Sequence, residues 1–464
     1  MKTARKESFW KSLNPHSLVA IGFGVAILIG TALLMLPAAA GDGQPLRLVD
    51  AVFTATSAIC VNGLTVVNVG TRLSLFGQMT LLALVQLGGV GITTLGTFML
   101  VLAGRRLSVQ GEFVLMDAYG VGGVKGIRAL LIWAVALTLL FEGAGAALLY
   151  WRYHVLGVEQ GVHAGTLGTL YYAVFHSINA FCNAGFSLHA DSLCRFQQDP
   201  FYLPIAGALA VVGGLGFLTL YNLITIKFWQ RDLRSRGRIS LHTKIVLTAT
   251  VILIAAGTAL LLLDEWGHAL KDLPVAYKIN CALFQAVTPR SAGLNAVPMA
   301  QLSESSRYVT GILMLIGGSP GSAAGGIKTT TLMVLVMTVY AMCKRRKETI
   351  IFSRTMTHTV VREAIVIFLL ALALIAVAYG VLLWTEFPHP EGDHASRLLF
   401  ETISASATVG LSIDSTPLLS TAGRWVIIFC MYVGRLGPLA VALLISKDQE
   451  HLHIRYPEEE VVVG

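Results

Sequence analysis

Four short stretches of this chain end in a glycine followed by Leu or Phe: Val61-Asn62-Gly63-Leu64, Asn183-Ala184-Gly185-Phe186, Ser291-Ala292-Gly293-Leu294 and Thr408-Val409-Gly410-Leu411. Each closes a longer variation on one theme, begun at Phe53, Phe175, Phe284 and Phe400, and the glycines stand 122, 108 and 117 residues apart. Recurrence at near-even spacing points to four copies of one unit around a common axis. The chemistry on offer is that of the backbone. Glycine accepts dihedrals that turn carbonyl oxygens inward with no Cβ in the way, and a ring of such oxygens can replace the water around a potassium ion. Val61, Asn62, Gly63, Asn183, Ala184, Gly185, Ser291, Ala292, Gly293, Thr408, Val409 and Gly410 are therefore the candidate selectivity filter, binding the ion through backbone carbonyls. One match among 46 glycines would mean little; four at matched depth carry the reading.

A second constellation lies in the third unit. Gly317, Gly318, Ser319, Pro320, Gly321, Ser322, Ala323, Ala324, Gly325 and Gly326 interrupt an otherwise apolar span, and proline with so many glycines breaks a helix. Gly326-Ile327-Lys328-Thr329 only superficially resembles a phosphate-binding loop, which needs lysine directly after its second glycine and a preceding strand. A flexible constriction below the filter fits better, because irregular backbone at membrane depth must face a cavity or protein; a merely kinked helix is the plainer alternative. Arg435 stands within Met431-Tyr-Val-Gly-Arg-Leu-Gly-Pro-Leu439. A charge there costs about 2.5–3.5 kcal/mol unless it faces inward and is partnered, and the carbonyls freed by the 317–326 break are suitable partners. Contact with lipid headgroups is the alternative. Glu401 and His176, on the segments before two of the glycines, suit structural hydrogen bonds better than ion ligation. Arg290 is placed to brace the third turn. The acids Asp50, Asp191 and Asp414 could concentrate cations at an outer mouth.

The elements that must hold these residues are membrane helices. Of 464 residues, 55% are hydrophobic and 13% charged, against roughly 25% charged in soluble domains. Each unit reads as a span, a short half-helix, a glycine turn and a second span: 17–103, 129–226, 245–343 and 364–445, with tails 1–16 and 446–464. The predicted half-helices, Leu48–Cys60, Leu170–Cys182, Tyr277–Val287 and Ser396–Ala407, are too short to cross a bilayer. Their negative C-terminal ends would favour a cation at the axis. The expected fold is thus an all-α membrane protein: eight transmembrane helices and four re-entrant half-helices around a central pore. The basic N-terminus followed by Ala38-Ala39-Ala40 imitates a cleaved signal peptide, yet Leu18–Pro37 has the length of a span and opens the first unit, so it is expected to be retained.

Net charge is +8, but its placement fits topology and not nucleic acid. Joining segments carry Arg105, Arg106, Lys125, Lys227, Arg231, Arg234, Arg236, Arg238 and Lys344–Lys347, whereas the flanks of the half-helices are acidic on balance. The positive-inside rule then puts both termini in the cytoplasm and brings the half-helices in from outside. Six scattered cysteines, without CxxC spacing, indicate neither a zinc site nor a disulfide scaffold. A membrane enzyme would need converging His, Asp or Glu within the spans, which nearly lack them. A secondary transporter with paired repeats stays open as a rival.

These glycine turns, Thr288-Pro-Arg-Ser-Ala-Gly-Leu-Asn295, the 317–330 stretch Gly-Gly-Ser-Pro-Gly-Ser-Ala-Ala-Gly-Gly-Ile-Lys-Thr-Thr and Gly434-Arg-Leu-Gly-Pro438 resemble the Trk/Ktr/HKT superfamily of potassium transporters over nearly the whole chain. The short N-terminal tail and the ending Arg455–Gly464 are most similar to the KtrB-type membrane subunits of bacterial Ktr uptake systems. The resemblance implies the ion-translocating subunit of a sodium-dependent potassium uptake system in a bacterial plasma membrane. It also implies a homodimer seated on a cytosolic KtrA-type RCK ring that binds ATP or ADP. Potassium would be the transported ion, sodium a coupling or activating one, with no organic cofactor in this chain. By the same resemblance, 317–326 is an intramembrane gating loop and Arg435 its partner. Serine for the first turn glycine goes with sodium preference in the plant branch, so Gly63 implies potassium; Ser291, where threonine is common, leaves the degree of discrimination open. A less selective sodium/potassium transporter of the same family is the alternative.

Overall fold

The computed structural model describes residues 15–91, 127–157, 165–226, 239–386 and 394–437. The far tails, the C-terminal ends of the expected spans 73–102 and 425–445, and most of the basic joining segments lie outside the described residues. The first quarter of the chain folds as α1 (Pro15–Leu34), α2 (Leu48–Ile59) and α3 (Leu75–Val90), and the second as α4 (Ile127–Leu156), α5 (Thr166–Cys182), α6 (Tyr202–Gly214) and α7 (Phe217–Thr225). The third follows as α8 (Leu241–Glu265), α9 (Val275–Val287), α10 (Glu304–Leu315) and α11 (Thr329–Cys343), and the fourth as α12 (His358–Thr385), α13 (His394–Ser406) and α14 (Thr421–Leu436). A two-stranded antiparallel hairpin, β1 (Ile350–Ile351) and β2 (Arg354–Thr355), joins α11 to α12; nothing in the apolar pattern announced it.

The short helices fall within a few residues of their predicted places. At 12 residues for α2 and 13 for α9 and α13, and 1.5 Å of rise each, they are about 20 Å long, short of a hydrocarbon core of roughly 30 Å. They make the core of the molecule: Phe53, Ala55, Ala58, Phe175, Ala180, Cys281 and Ala405 are all buried. The long α12 is the reverse, with only 17% of its most apolar window buried inside the protein. Ile365, Leu369, Val377 and Val381 face outward, as a helix in lipid requires, while Ile375 and Leu382 hold its inner side. Capping sets where the second helices begin. Ser74, Ser303 and Ser420 each accept a hydrogen bond from the third residue onward, and Asp199 does the same work for Phe201 and Tyr202.

Not every expected span is one helix. Among the described residues three are long and apolar enough to cross alone: 132–156, α8 and α12. The span predicted over Phe201–Ile226 is instead α6 and α7, bent by 94°. The bend falls at Gly216, whose φ of +83° is open to glycine and closed to most residues. The third-quarter span is broken more widely, by residues 316–328.

Packing between quarters follows chain order and closes on itself. The second helix of each quarter lies against the short helix of the next: α3 on α5, α6 on α9, α10 on α13, and α14 back on α2. An ion pair pins that last contact, Arg424 Nη1 to Asp50 Oδ1 at 2.5 Å, with both side chains largely buried. Arg424 also donates to the carbonyls of Leu419 and Pro417. Replacing Arg424 with alanine should lower the melting temperature in detergent, the loss being of the order of 3 kcal/mol for a carboxylate stranded without its partner. An unchanged melting curve would show that the pair contributes nothing to the closure.

Candidate functional site

Each short helix ends in the same backbone figure. Two residues before each turn glycine φ is positive, +55° at Val61, +56° at Asn183, +82° at Ser291 and +49° at Thr408, and it is positive again at Gly63, Gly185, Gly293 and Gly410. Non-glycine residues rarely hold that conformation, and it accompanies function when the surroundings enforce it. Here they do: the N–H of the residue before the glycine returns to the short helix, from Asn62 to Ser57 O at 2.8 Å, Ala184 to Asn179 O at 2.9 Å and Val409 to Ser404 O at 2.9 Å. Ser57 and Ser404 hydroxyls then take the N–H groups of Gly63 and Gly410, both at 3.1 Å. The third quarter departs from this, with Ala292 N bonded to Thr288 O.

The four glycines meet. A β-carbon on Gly63 would fall 2.7 Å from Ala184 O, one on Gly293 2.4 Å from Val409 O, and one on Gly410 2.0 Å from Asn62 O. Gly185 is in the same contact with both Gly63 and Gly293. The carbonyls of Asn62, Ala184 and Val409 thus lie against other turns, and the four glycines follow one another around a closed circuit in chain order. Asn62 fastens the circuit where the chain does not, its amide donating to Ser404 O and Ala405 O at 3.3 and 3.2 Å.

The side chains singled out beside the turns act as braces. His176 and Glu401 hold equivalent places, nine residues before their glycines, and each bonds the serine two residues after it. The His176 Nε2 to Ser187 Oγ distance is 3.1 Å; Ser412 and Thr416 both donate to the Glu401 carboxylate. Arg290 reaches outward to Thr250 on α8 at 3.2 Å. Above the glycines opens a cavity of about 370 Å³ lined by all four of them and by Asp191 and Asp414. Asp191 is paired there with Arg195 at 2.9 Å. Asp50 does not belong to this mouth, being the partner of Arg424. His189 also lines the cavity, and burial, with His176 and Arg195 nearby, holds its imidazole down at about 2. It is neutral at ordinary pH and adds no charge where a cation would sit.

On the other side of the turns, residues 316–328 form a loop with a closed neck, Gly317 N to Ile327 O at 3.0 Å and Ile327 N to Leu315 O at 3.1 Å. It docks on the α6–α7 bend, whose freed groups it satisfies: Ser319 N donates to Gly214 O at 3.0 Å and Phe217 N to Gly321 O at 3.1 Å. Arg435 donates to Ala323 O in this loop, as expected, and also to Gly88 O at the end of α3, which was not. Lys328 Nζ donates to Ala324 O at 2.7 Å.

One repeated feature escaped the sequence reading. Gly88-Gly-Val-Gly91, Gly213-Gly-Leu-Gly216 and Gly434-Arg-Leu-Gly437 close α3, α6 and α14 alike. A β-carbon on Gly88, Gly213 or Gly434 would land 2.1, 1.9 and 2.1 Å from the carbonyls of Ile59, Phe181 and Ser406, each four residues before its turn glycine. The signal was there in the spacing, hidden among many glycines in apolar helices. In this frame Arg435 replaces the second glycine of the pair, which brings its guanidinium to the loop carbonyls beside Lys328.

Replacing Gly434 with alanine should cost about 1–3 kcal/mol by overpacking and abolish transport, as read by melting temperature and rubidium uptake. Gly380, which has nothing within 4 Å of its β-position, should tolerate the same change; equal effects at both sites would sink the packing account.

The family model "TrkH: Cation transport protein" matches residues 4–453. The chain is 34% identical to the Potassium/sodium uptake protein NtpJ of Enterococcus hirae over the full length of both. It is also 34% identical to Ktr system potassium uptake protein B of Bacillus subtilis, covering 98% of each. Among solved structures, the potassium transporter TrkH of Vibrio parahaemolyticus superposes with a TM-score of 0.70 at 18% identity, over 92% of this chain and 85% of that one. That last likeness speaks to the fold alone.

Proposed function

The chain belongs to the TrkH family of cation transport proteins, and from that premise we propose that it carries potassium across the bacterial plasma membrane as the ion-translocating subunit of a Ktr-type uptake system. The observation that carries the reading is the closed circuit of four glycine turns, each at the C-terminal end of a short buried helix. Potassium would enter the cavity beside Asp191 and Asp414 and shed water against the carbonyls of the four turns. The dipoles of α2, α5, α9 and α13 favour a cation at that place. No bond is made or broken in the protein. An inside-negative potential supplies about 2.3 kcal/mol per charge per 100 mV, enough for accumulation without hydrolysis by this chain.

Below the turns, the 316–328 loop and Arg435 serve as the gate. The guanidinium does two things in that role: it holds the loop across the passage, and its charge repels cations while there. Opening requires the loop to leave the α6–α7 bend and Arg435 to release Ala323. A cytosolic nucleotide-binding RCK ring would drive that change, consistent with the naming of the Bacillus subtilis relative as part of a system. Both termini in the cytoplasm, a homodimer and sodium as coupling ion complete the reading. The name of the Enterococcus hirae relative favours a second one, in which sodium itself also passes.

Expression in cells lacking their own potassium uptake should restore growth at low potassium. Gly410→Ser, which puts a side chain 2.0 Å from Asn62 O at a φ of +92°, should reduce the preference for potassium over sodium; an unchanged preference would count against the filter. Excising residues 317–326 leaves ends already joined through the Ile316–Ile327 bridge. Uptake should then be high and unregulated, and loss of transport in a folded variant would remove the gate assignment.

A further inference from the structure

The segment Ala323-Ala324-Gly325 is held at three successive residues by three different parts of the chain. Arg435 of α14 takes the Ala323 carbonyl and Lys328 the Ala324 carbonyl. The third hold comes from a glycine turn: Gly325 N–H donates to Ser291 Oγ at 3.1 Å. That hydroxyl has a second bond, donating to the Thr408 carbonyl at 2.6 Å. Ser291 and Thr408 are both fully buried. A β-carbon on Gly325 would fall 1.8 Å from Thr408 Oγ1 and 2.9 Å from Ala407 O, so the loop backbone rests directly on the fourth turn.

A serine hydroxyl has one proton and two lone pairs. With one lone pair occupied by Gly325 N–H, the rotor is fixed and its proton points at Thr408 O. The other residues equivalent to Ser291 do not do this. Val61 has no polar side-chain atom, the Asn183 amide has no partner among the described residues, and neither does the Thr408 hydroxyl. Among the described residues, only the third turn bonds both to its neighbour and to the loop.

We infer that the Ser291 hydroxyl couples the 316–328 loop to the ion-binding circuit, holding the Thr408 carbonyl away from the ion while the loop is docked and releasing it when Gly325 withdraws. Ser291 is a positioning residue in this scheme. The inference rests on the gating reading above and adds to it that the circuit senses the loop. Passage is then controlled at two levels by one displacement, below the turns by Arg435 and at the fourth turn through Ser291.

The test is a double-mutant cycle on the full-length protein in proteoliposomes, reading radio-rubidium uptake and its competition by potassium and by sodium. Ser291→Ala alone should raise uptake about five-fold, the effect of one ordinary hydrogen bond on an equilibrium. Ser291→Thr, which keeps the hydroxyl, should restore the original rate. In an Arg435→Ala background, where the loop is already released, Ser291→Ala should add nothing. Sodium competition, expected to differ between the parent and Arg435→Ala proteins, should be the same in the two when Ser291 is alanine. Should Ser291→Ala lose its symmetrical gel-filtration peak, Ser291→Cys, nearly isosteric and a weaker donor, takes its place. Equal factors in the two backgrounds, or no effect of either variant, would overturn the coupling and leave transport standing. Absence of potassium-competed uptake by the parent protein would instead overturn the transport reading, and the coupling with it.

Discussion

Three helices reach the short helices with a glycine against a peptide carbonyl, and the four turns reach one another in the same way. Contacts of this kind leave no room for a single methyl group. They fix much else. Helices that approach so closely must be small on that face along their last turn, which is why glycine pairs close α3 and α6. Turns that share a centre must hold left-handed backbone at two positions each, and buried hydrogen bonds accepted by Ser57, Ser404 and Glu401 and donated by Asn62 keep them there. In a medium without water those bonds have no substitute.

The third quarter is where the pattern yields. Gly317 occupies the place of Gly88 and Gly213, but its close neighbour is Gly325 of the same loop and not the short helix behind the turn. The turn itself is bonded one residue out of step, through Thr288. Here three quarters build a frame, and the remaining place holds a loop bonded to other quarters and to its own turn: Ser319 to Gly214, Phe217 to Gly321, Arg435 to Ala323 and Gly325 to Ser291.

Much of this was legible in the residues. The phenylalanine-to-glycine stretches marked all four short helices to within a few residues, because a short apolar segment of 12 to 17 residues ending in a glycine turn has few other uses between spans. The loop and the arginine were legible from composition, since neither glycine-proline runs nor a lone charge belong in a plain span. The α6–α7 bend was not. Hydropathy reads the same through Gly213-Gly-Leu-Gly216 whether the helix is straight or bent by 94°, and only the docked loop makes the bend favourable. The second bond of Arg435, to Gly88, joins residues 347 apart, a distance no local pattern encodes. The mouth was partly misjudged for a related reason: Asp50 looks like a free acid until Arg424 arrives from 374 residues away.

That last contact bears on how the molecule is made. The ribosome delivers α2 early, while its partners on α13 and α14 come more than three hundred residues later. Until then Asn62 lacks the Ser404 and Ala405 carbonyls to which it donates. The circuit of turns therefore closes only after the fourth quarter has been made, and a product that stalls before α13 lacks the carbonyls of Ser404 and Ala405 that Asn62 holds.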